Sequence, residues 1–338
     1  MATNKRLIKS NDEGGGASFN TVLYTGNGGT QSVTGVGFDP DMVWVKRRDA
    51  SANNHILQDT IRGGGQANTL IPDRTDAQGV NGQYGYISSF GTDSFGVAAG
   101  TTSAEHTNFL NASYVAWAWK GAEIPAINSN GSIPSVVSAN PAAGFSIVSY
   151  TGNNSNATIG HGLGEAPDMI IVKRRNASGS WNVYHSALGN NSTLILQLTI
   201  AELIGQGTWG TTTPTESVFT VGTGINDTNN YIAYCFAEVA GFSKFGSYTG
   251  NGSNQYVNLG FEPAFIMVKR TNGTGTWGMF DNKRGLSAPQ PRLLANDSAA
   301  ENTGTTYWAS TDSTGFTVQG SSIYGTGDFI YMAFANQF

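Results

Sequence analysis

The sequence predicts an all-β protein made of three tandem homologous antiparallel β-sandwich domains of jelly-roll-like type. Three observations lead to this prediction: a composition rich in turn-forming residues, an internal repeat that occurs three times, and apolar residues that alternate with period two. Of the 338 residues, 45 are Gly and only 12% are charged, where roughly 25% is usual in soluble proteins. Helix surfaces are normally rich in Glu, Lys, Arg and Ala, whereas Gly, Asn, Ser and Thr favour turns. The composition therefore favours short strands joined by many turns.

Composition and charge also exclude several classes of protein. An apolar fraction of 39%, with 17 Phe, 13 Tyr and 7 Trp, is too high for a disordered chain. The net charge is −5 and the basic residues are spread along the chain, so we expect no nucleic-acid partner. No run of about 18 apolar residues occurs, so we expect no membrane span. Cys235 is the single cysteine and excludes an internal disulfide, and the first residues lack the apolar core of a secretion signal, so we expect assembly in a cytoplasm.

An internal repeat occurs three times. Each copy opens with Tyr-Thr-Gly-Asn and contains a Pro six residues before a Lys, which aligns the copies without gaps. Each copy then closes with an apolar strand. The openings are 24–27, 150–153 and 248–251, the aligned lysines are Lys46, Lys173 and Lys269, and the closing strands are 114–119, 231–236 and 329–334. Copies of this size correspond to small domains and not to solenoid units.

The repeat predicts the domain boundaries. We expect an N-terminal docking tail over residues 1–18, sandwich repeats over 19–121, 144–240 and 241–338, and a linker rich in Pro, Ser and Asn over 122–143. No comparable linker separates the second and third repeats, which predicts a rigid connection there. Domains joined end to end in this way predict a rod.

Residues alternate in size along each closing strand. In the first copy, Val115, Trp117 and Trp119 share one face, while Ala116 and Ala118 share the other. We expect the large face to form the core and the small face to lie close to a second layer or a neighbouring chain. The strand after the Pro is apolar on both faces, which predicts a central position in the sheet. Only residues 194–204 fit a helical turn.

The motifs that commonly carry chemistry are missing from the sequence. It has no nucleophile elbow, P-loop or zinc-protease motif, and its four histidines lie at no ligand spacing, so we expect no metal and no cofactor. The most specific repeated polar pattern is Asp-x-x-Arg-Gly, with Asp59 and Arg62 in the first copy and Asp281 and Arg284 in the third. Such a pair suits a ligand clamp, a catalytic carboxylate or an ion pair that anchors a loop, with the Gly at positive φ. The second copy keeps the Gly without either charge, which favours the loop anchor.

Two further features recur after the central strand. Lys-Arg runs at 46–48, 173–175 and 269–270 suit either an anionic surface polymer or a solvated strand end beside acidic loops. A Trp lies eight residues after the aligned Lys in two copies; when exposed it stacks on sugars, but at a repeated strand position it is more often core. The candidate ligand-binding residues are Asp59, Arg62, Asp281, Arg284, Trp181 and Trp277, and we expect no catalytic residue.

Together these motifs resemble a repeated β-domain of tailed-bacteriophage proteins, especially of marine phages that infect cyanobacteria and other abundant bacteria. The similarity covers the chain from residue 19 onward. It rests on Tyr-Thr-Gly-Asn-Gly, on Gly-Phe-x-Pro-Asp-x-Val-Trp-Val-Lys-Arg-Arg, on Asp-x-x-Arg-Gly and on the closing Tyr-Val-Ala-Trp-Ala-Trp-Lys, and it is weaker in the second copy. The resemblance implies a structural protein of the virion, often of a tail fibre or appendage.

The resulting expectation is a non-enzymatic virion protein of a tail fibre or appendage that contributes to host attachment. We expect a homotrimer that joins other tail or capsid proteins through residues 1–18 and has a host-surface glycan as a further partner. One alternative is a capsid decoration protein, a head fibre or cement protein. Another is a glycan-degrading tail depolymerase, for which Asp59, Asp281 and Glu262 are the carboxylates in repeat register. The missing export signal disfavours a cell-encoded lectin or adhesin.

Overall fold

Three antiparallel β-sandwiches follow one another along the chain. The structure is a computed structural model that describes residues 17–336, so residues 1–16 of the expected docking tail lie outside the described residues. Short 3-10 helices cover Gln66–Asn68, Gly82–Tyr84 and Thr223–Ile225. Within the described part of the chain, no helix is long and apolar enough to cross a membrane. The predicted all-β class and antiparallel sandwich type are confirmed.

The first repeat has a large and a small sheet. The large sheet contains β1 (Phe19–Thr25), β3 (Met42–Arg47), β4 (Ile56–Asp59) and β7 (Ser113–Trp119), in the spatial order β1-β7-β3-β4. The small sheet contains β2 (Thr30–Thr34), β5 (Tyr86–Gly91) and β6 (Ser94–Ala98), in the order β2-β6-β5.

The second repeat keeps this arrangement and extends it. Its large sheet has the order β15-β14-β13-β12-β17-β10-β9-β8 and its small sheet pairs β11 with β16. The strands are β8 (Ala126–Asn128), β9 (Ser135–Asn140), β10 (Phe145–Thr151), β11 (Ala157–Gly160), β12 (Met169–Arg174), β13 (Trp181–His185), β14 (Ser192–Ile195), β15 (Leu203–Ile204), β16 (Val218–Val221) and β17 (Asn230–Phe236).

The third repeat again has two sheets, in the orders β18-β25-β20-β21-β22 and β19-β24-β23. The strands are β18 (Ser243–Asn251), β19 (Gln255–Asn258), β20 (Phe265–Arg270), β21 (Gly278–Asp281), β22 (Leu293–Leu294), β23 (Trp308–Asp312), β24 (Gly315–Val318) and β25 (Thr326–Phe334). In every repeat the closing strand lies between the strand that opens the repeat motif (β1, β10 or β18) and the strand after the Pro, so it has a hydrogen-bonded partner on both sides.

The Tyr-Thr-Gly opening has a structural reason at each position. The ring of Tyr24 stacks on Tyr114 of the closing strand at a centroid distance of 5.0 Å, and the equivalent pairs in the other repeats stack at the same distance. A Cβ atom on Gly26, Gly152 or Gly250 would lie 2.0, 1.8 or 2.5 Å from the nearest backbone oxygen. Only glycine therefore allows the chain to pass so close to the loop before the closing strand.

Two segments differ from expectation. The predicted linker contributes β8 and β9, and β9 pairs with β10 along its outer edge, so much of the segment belongs to the second large sheet. Pro125 and Pro134 each stand one residue before a strand, where the missing N–H removes no ladder hydrogen bond. The helical turn expected within 194–204 is wrong, because this segment contains the end of β14 and all of β15.

Both faces of each closing strand are buried, and the faces have different neighbours. Ala116 and Ala118 pack with the small sheet inside the first sandwich. The large residues of all three closing strands belong to one apolar core together with the facing strands of every repeat. The three large sheets therefore pack against each other around a shared core, and the expected rod is wrong because the large faces require burial that a single sandwich does not provide.

The shared core has a pseudo-threefold axis. Trp119, Phe236 and Phe334 end the three closing strands, and their ring centroids are 6.3, 6.1 and 6.0 Å apart in the pairs Trp119–Phe236, Phe236–Phe334 and Trp119–Phe334. Such a triangle forms only when equivalent strand ends meet at one point. One chain thus contains a closed, three-part arrangement.

Candidate functional site

The three repeats meet at three equivalent junctions. At the 1–2 junction, the loops that follow β4 in the first repeat contact the large sheet of the second repeat. The 2–3 junction joins the second and third repeats in the same way, and the 3–1 junction joins the third repeat back to the first. Most of the sequence-derived candidate residues lie at these junctions, so we describe them as one candidate site that occurs in three versions.

A ring of side chains bonded to backbone carbonyls closes the arrangement. Trp181 Nε1 donates to the Ile71 carbonyl at 3.0 Å across the 1–2 junction, and Trp277 Nε1 donates to the Ile195 carbonyl at 3.1 Å across the 2–3 junction. At the 3–1 junction His55 stands at the same place, four residues before the Asp of the repeat motif, with Nε2 2.8 Å from the Leu294 carbonyl. Trp44 Nε1 donates to His55 Nδ1 at 2.8 Å, so His55 Nε2 carries the proton and donates it to that carbonyl.

The aligned lysines form a second ring in the interior. Lys46, Lys173 and Lys269 are fully buried, and each amino group donates across a junction to a backbone carbonyl. The acceptors are the carbonyls of Ser298 at 3.3 Å, Thr75 at 2.9 Å and Ile200 at 2.8 Å, in that order. Burial lowers the pKa of each amino group to about 8. These lysines therefore connect repeats and take neither of the two expected surface roles. The arginines that follow two of them pair with acidic loop residues as the strand-end interpretation expects, Arg47 with Asp49 and Arg174 with Asp227, both at 2.7 Å.

In the first two copies an arginine stands two positions after the aligned lysine, and its side chain makes hydrogen bonds across a junction. Arg48 binds Glu301 through two hydrogen bonds of 3.0 and 2.8 Å at the 3–1 junction. Arg175 Nε donates to Gln78 Oε1 at 2.8 Å and Arg175 Nη1 to Ser149 Oγ at 3.3 Å at the 1–2 junction. Bidentate guanidinium–carboxylate contacts are among the stronger polar interactions in proteins.

The Asp-x-x-Arg pairs are buried at the same junctions. Asp59 Oδ2 accepts from Arg62 Nε at 2.6 Å and from the Tyr234 hydroxyl of the second repeat at 2.7 Å. Asp281 Oδ2 accepts from Arg284 Nε at 2.6 Å and from Trp117 Nε1 of the first repeat at 3.0 Å. Oδ2 of each carboxylate thus accepts one bond within its loop and one from the next closing strand, while Oδ1 accepts the backbone amide of the arginine at 3.0 Å in the first repeat and 2.9 Å in the third.

The glycine of this motif has the conformation that the sequence predicts. Gly63, Gly189 and Gly285 have φ of 79°, 76° and 114°. The amide of each donates to the carbonyl of the residue four positions earlier, which closes the loop. The predicted positive φ is confirmed, and it explains why the second copy keeps the Gly after losing both charges.

The second copy has no ion pair at this place, and its neighbour provides no hydrogen-bond donor for one. The position held by Tyr234 and Trp117 at the other junctions is Met332 at the 2–3 junction, and a thioether donates no hydrogen bond. His185 replaces the Asp and places Nε2 3.2 Å from the Tyr331 carbonyl, while burial lowers its pKa to about 4. A buried carboxylate at this place would lack its second partner, so the uncharged pair fits the apolar surface.

The 2–3 junction also lacks the second basic residue. Thr271 occupies the position of Arg48 and Arg175, as the equivalent backbone hydrogen bonds of all three to the closing strands show. A hollow of about 410 Å³ remains there, and Glu202, Ser247 and Thr271 are among its lining residues. The three junctions thus share one backbone geometry and differ in their charges.

The structure places all six candidate residues inside the molecule. Asp59, Asp281 and Trp181 are fully buried, and Arg62, Arg284 and Trp277 are 7, 9 and 1% exposed. Every one of them makes its main contacts within or across a junction, as expected from the loop-anchor and core interpretations. Glu262 lies exposed on another part of the third repeat. The two buried carboxylates each pair with an arginine.

Sequence reasoning missed the buried lysines and the ring of junctions. One feature of the sequence indicated the buried lysines: the spacing between Pro and Lys is the same in all three copies. A solvated lysine at a strand end does not require such a fixed spacing. No group of three or more His, Cys, Asp or Glu side chains suited to a metal ion occurs among residues 17–336.

Comparison with known families agrees with the extent of this three-part unit. The sequence model of a family described as a domain of unknown function, DUF7483, matches residues 15–337. The chain belongs to the DUF7483 family. The DUF7483 match spans all three repeats and all three junctions as one domain. A search of curated proteins returned no match.

Proposed function

We propose that this DUF7483 protein is a structural component of a tailed-bacteriophage virion, in a tail fibre or appendage that contributes to host-surface attachment. The observation that supports this proposal best is the use of the repeated polar residues. Lysines, arginines, carboxylates and indole groups in repeat register connect the three sandwiches to each other, which is an architectural role. The phage-like motifs of the sequence agree with such a role.

The closed arrangement suits a particle component. Three sandwiches around one core form a closed body, and the loops that take no part in the junctions offer contact surfaces for other proteins or for a host glycan. Residues 1–18 are the proposed connection to tail or capsid proteins. A capsid decoration protein would use the same features, and the number of copies per particle separates the two locations.

Self-association is part of the proposal. The outer edges of β1 and β18 pair with no strand within residues 17–336, whereas β9 covers the equivalent edge of β10. Pairing between chains would cover these edges, as native proteins commonly require. Light scattering on the purified chain is expected to give the mass of a homotrimer, and the mass of one 35.6 kDa chain would contradict that part of the proposal.

The decisive experiment locates the protein in purified particles. Quantitative mass spectrometry of virions should detect it at a few copies per particle, and antibody labelling in the electron microscope should mark the tail. Hundreds of copies on the head would instead indicate decoration, and a protein found in infected cells but missing from particles would contradict the virion role.

A variant lacking residues 1–16 is expected to fold and to be missing from particles, and normal incorporation would contradict the docking role.

A binding assay tests the host contact separately. Fluorescently labelled protein is expected to bind host cells, and pretreatment of the cells to remove surface glycan is expected to reduce binding. Incubation with isolated host polysaccharide is expected to release no new reducing ends, because Asp59 and Asp281 are enclosed with arginines at the junctions. Release of reducing ends would favour the depolymerase alternative.

A further inference from the structure

The hollow at the 2–3 junction occupies the place that an arginine fills at the other two junctions. Arg175 places its guanidinium against Gln78 and Ser149, and the residues in the equivalent places at the 2–3 junction are Glu202 and Ser247. Both line the hollow of about 410 Å³. The backbone frame is retained, since Glu202 N donates to the Thr271 carbonyl at 2.9 Å, as Gln78 N does to Arg175 at 2.7 Å and Glu301 N to Arg48 at 2.8 Å. The hollow therefore has the backbone frame and the acceptors of an arginine site without its arginine.

The charges at the junctions lead to the same conclusion. At the 3–1 junction the carboxylates Asp281 and Glu301 are balanced by Arg284 and Arg48. At the 2–3 junction Glu202 has neither cation, since Leu188 and Thr271 stand in their places, and its carboxylate makes no hydrogen bond within residues 17–336. Asp328, which also lines the hollow, adds a second negative charge. A partly enclosed carboxylate without a cation attracts one from outside.

We propose that the hollow at the 2–3 junction binds a guanidinium group, supplied by an arginine side chain of another protein. Glu202 would receive the guanidinium through two parallel hydrogen bonds, as Glu301 receives Arg48, and the Ser247 hydroxyl would accept a third, as Ser149 does from Arg175. At the other two junctions the guanidinium at this place is carried by an arginine side chain of the protein itself, Arg48 or Arg175. A protein side chain is therefore the occupant that the equivalent sites indicate. This inference does not depend on the proposed virion role.

The test uses blocked arginine as the probe for a side chain. Isothermal titration of the full chain with N-acetyl-arginine N-methylamide is expected to show binding in a one-to-one ratio. The citrulline analogue has the same shape without the charge, and its affinity is expected to be at least about tenfold lower. Equal binding of the arginine and citrulline compounds would overturn the proposal, and tighter binding of free arginine would overturn the assignment to a protein side chain.

Three variants locate the binding. Glu202→Gln is expected to weaken the binding of blocked arginine about tenfold, because the charge and one of the two acceptor oxygens are lost while the size of the side chain remains. Thr271→Arg is expected to abolish binding and raise the melting temperature, since the new side chain fills the hollow from within the chain. Arg175→Thr opens the equivalent space at the 1–2 junction, and blocked arginine is expected to restore part of the lost melting temperature.

The outcomes separate binding from folding. If Thr271→Arg does not fold, Glu202→Gln still decides, because it leaves the size of the side chain unchanged. Unchanged affinity in Glu202→Gln, or undiminished binding in a folded Thr271→Arg, would overturn the proposal. Blocked arginine that binds Arg175→Thr but not the wild type would also overturn it, since the wild-type hollow would then not be a guanidinium site.

Discussion

Single residues at the junctions show how burial changes the role of a polar group. Lys46, Lys173 and Lys269 stand where the sequence suggests a solvated strand end, yet each is enclosed and donates to carbonyls of a neighbouring repeat. The sequence revealed the Asp-Arg pair as a loop anchor and its Gly as a positive-φ position. It did not reveal that Asp59 has its second partner, Tyr234, 175 residues away, because contacts between repeats leave no local pattern in a sequence.

The Arg284–Asp281 ion pair offers a stability test at this scale. Arg284→Leu leaves the Asp281 carboxylate buried beside Trp117 without its cation, and we expect a loss of about 3–5 kcal/mol in the free energy of unfolding by urea denaturation. Arg74–Asp76 has the same 2.6 Å Nε–Oδ2 distance with Arg74 half exposed, so Arg74→Leu is a matched control with an expected loss of at most about 1 kcal/mol.

A third variant separates charge from packing. The combination Trp117→Met, Asp281→His and Arg284→Leu copies the 2–3 junction into the 3–1 junction. We expect it to be more stable than Arg284→Leu alone, because no unpaired carboxylate remains. Equal losses in Arg284→Leu and Arg74→Leu would show that the buried pair has no special importance.

Buried histidines predict sensitivity to acid. Burial lowers the pKa of His106, His161 and His185 to about 4, so between pH 6.5 and 4 the unfolded chain binds protons that the folded chain does not. The free energy of unfolding therefore falls as the pH falls through this window, by up to about 1.4 kcal/mol per pH unit for each histidine. Asp73, whose pKa burial raises to about 7, acts in the opposite direction with a single proton. Urea denaturation at pH 7 and 4.5 is expected to show lower stability at pH 4.5 and a smaller difference in His161→Gln, and equal stability at both pH values would contradict this account.

At the scale of elements, the sequence predicts most of the interior strands but not the strands at the sheet edges. The closing strands and the strands after the Pro have strong period-two or continuous apolar patterns, and both are central in their sheets. Strands β8 and β9 lie in a segment rich in Pro, Ser and Asn that indicates a linker. Their pairing depends on the free edge of β10, which is a tertiary feature. The apolar pattern of 194–204 is too short to distinguish a helical turn from β14 and β15.

The turn after β10 provides a test of the close approach that its glycine allows. Gly152→Ala would place a Cβ atom 1.8 Å from the Asp227 carbonyl oxygen, so the two backbone segments must separate, and we expect a loss of about 1–3 kcal/mol in the free energy of unfolding. Gly224 has open space around its Cβ position, and Gly224→Ala is the control, with an expected change within about 1 kcal/mol. Urea denaturation of both variants measures the difference, and equal stability would contradict the close approach.

The whole molecule is held together by a core that no repeat completes alone. The sequence indicated that the large faces are buried, but it left open what covers them. Because Ile232, Tyr234 and Phe236 pack against the other two repeats, separating the repeats would expose them to water. The three repeats lie around one axis and not in a line, because each repeat contributes an equivalent apolar face to the same core.

This shared core predicts cooperative unfolding. Differential scanning calorimetry is expected to show one transition for the full chain, with a calorimetric enthalpy equal to the van't Hoff enthalpy. The fragment 144–240 is expected to lack native near-ultraviolet circular dichroism and to bind a hydrophobic dye. Three separate transitions, or a fragment that folds alone, would show instead that the repeats are independent domains.

The joining of the three repeats in one chain has an evolutionary consequence. In an assembly of three identical subunits, every mutation changes all three interfaces at once, so no interface acquires a property of its own. Here a mutation changes one junction and leaves the other two as they are. Thr271 in the place of Arg48 and Arg175 illustrates this freedom, because the 2–3 junction keeps the hydrogen bonds that close the body while one of its side chains differs from the other two.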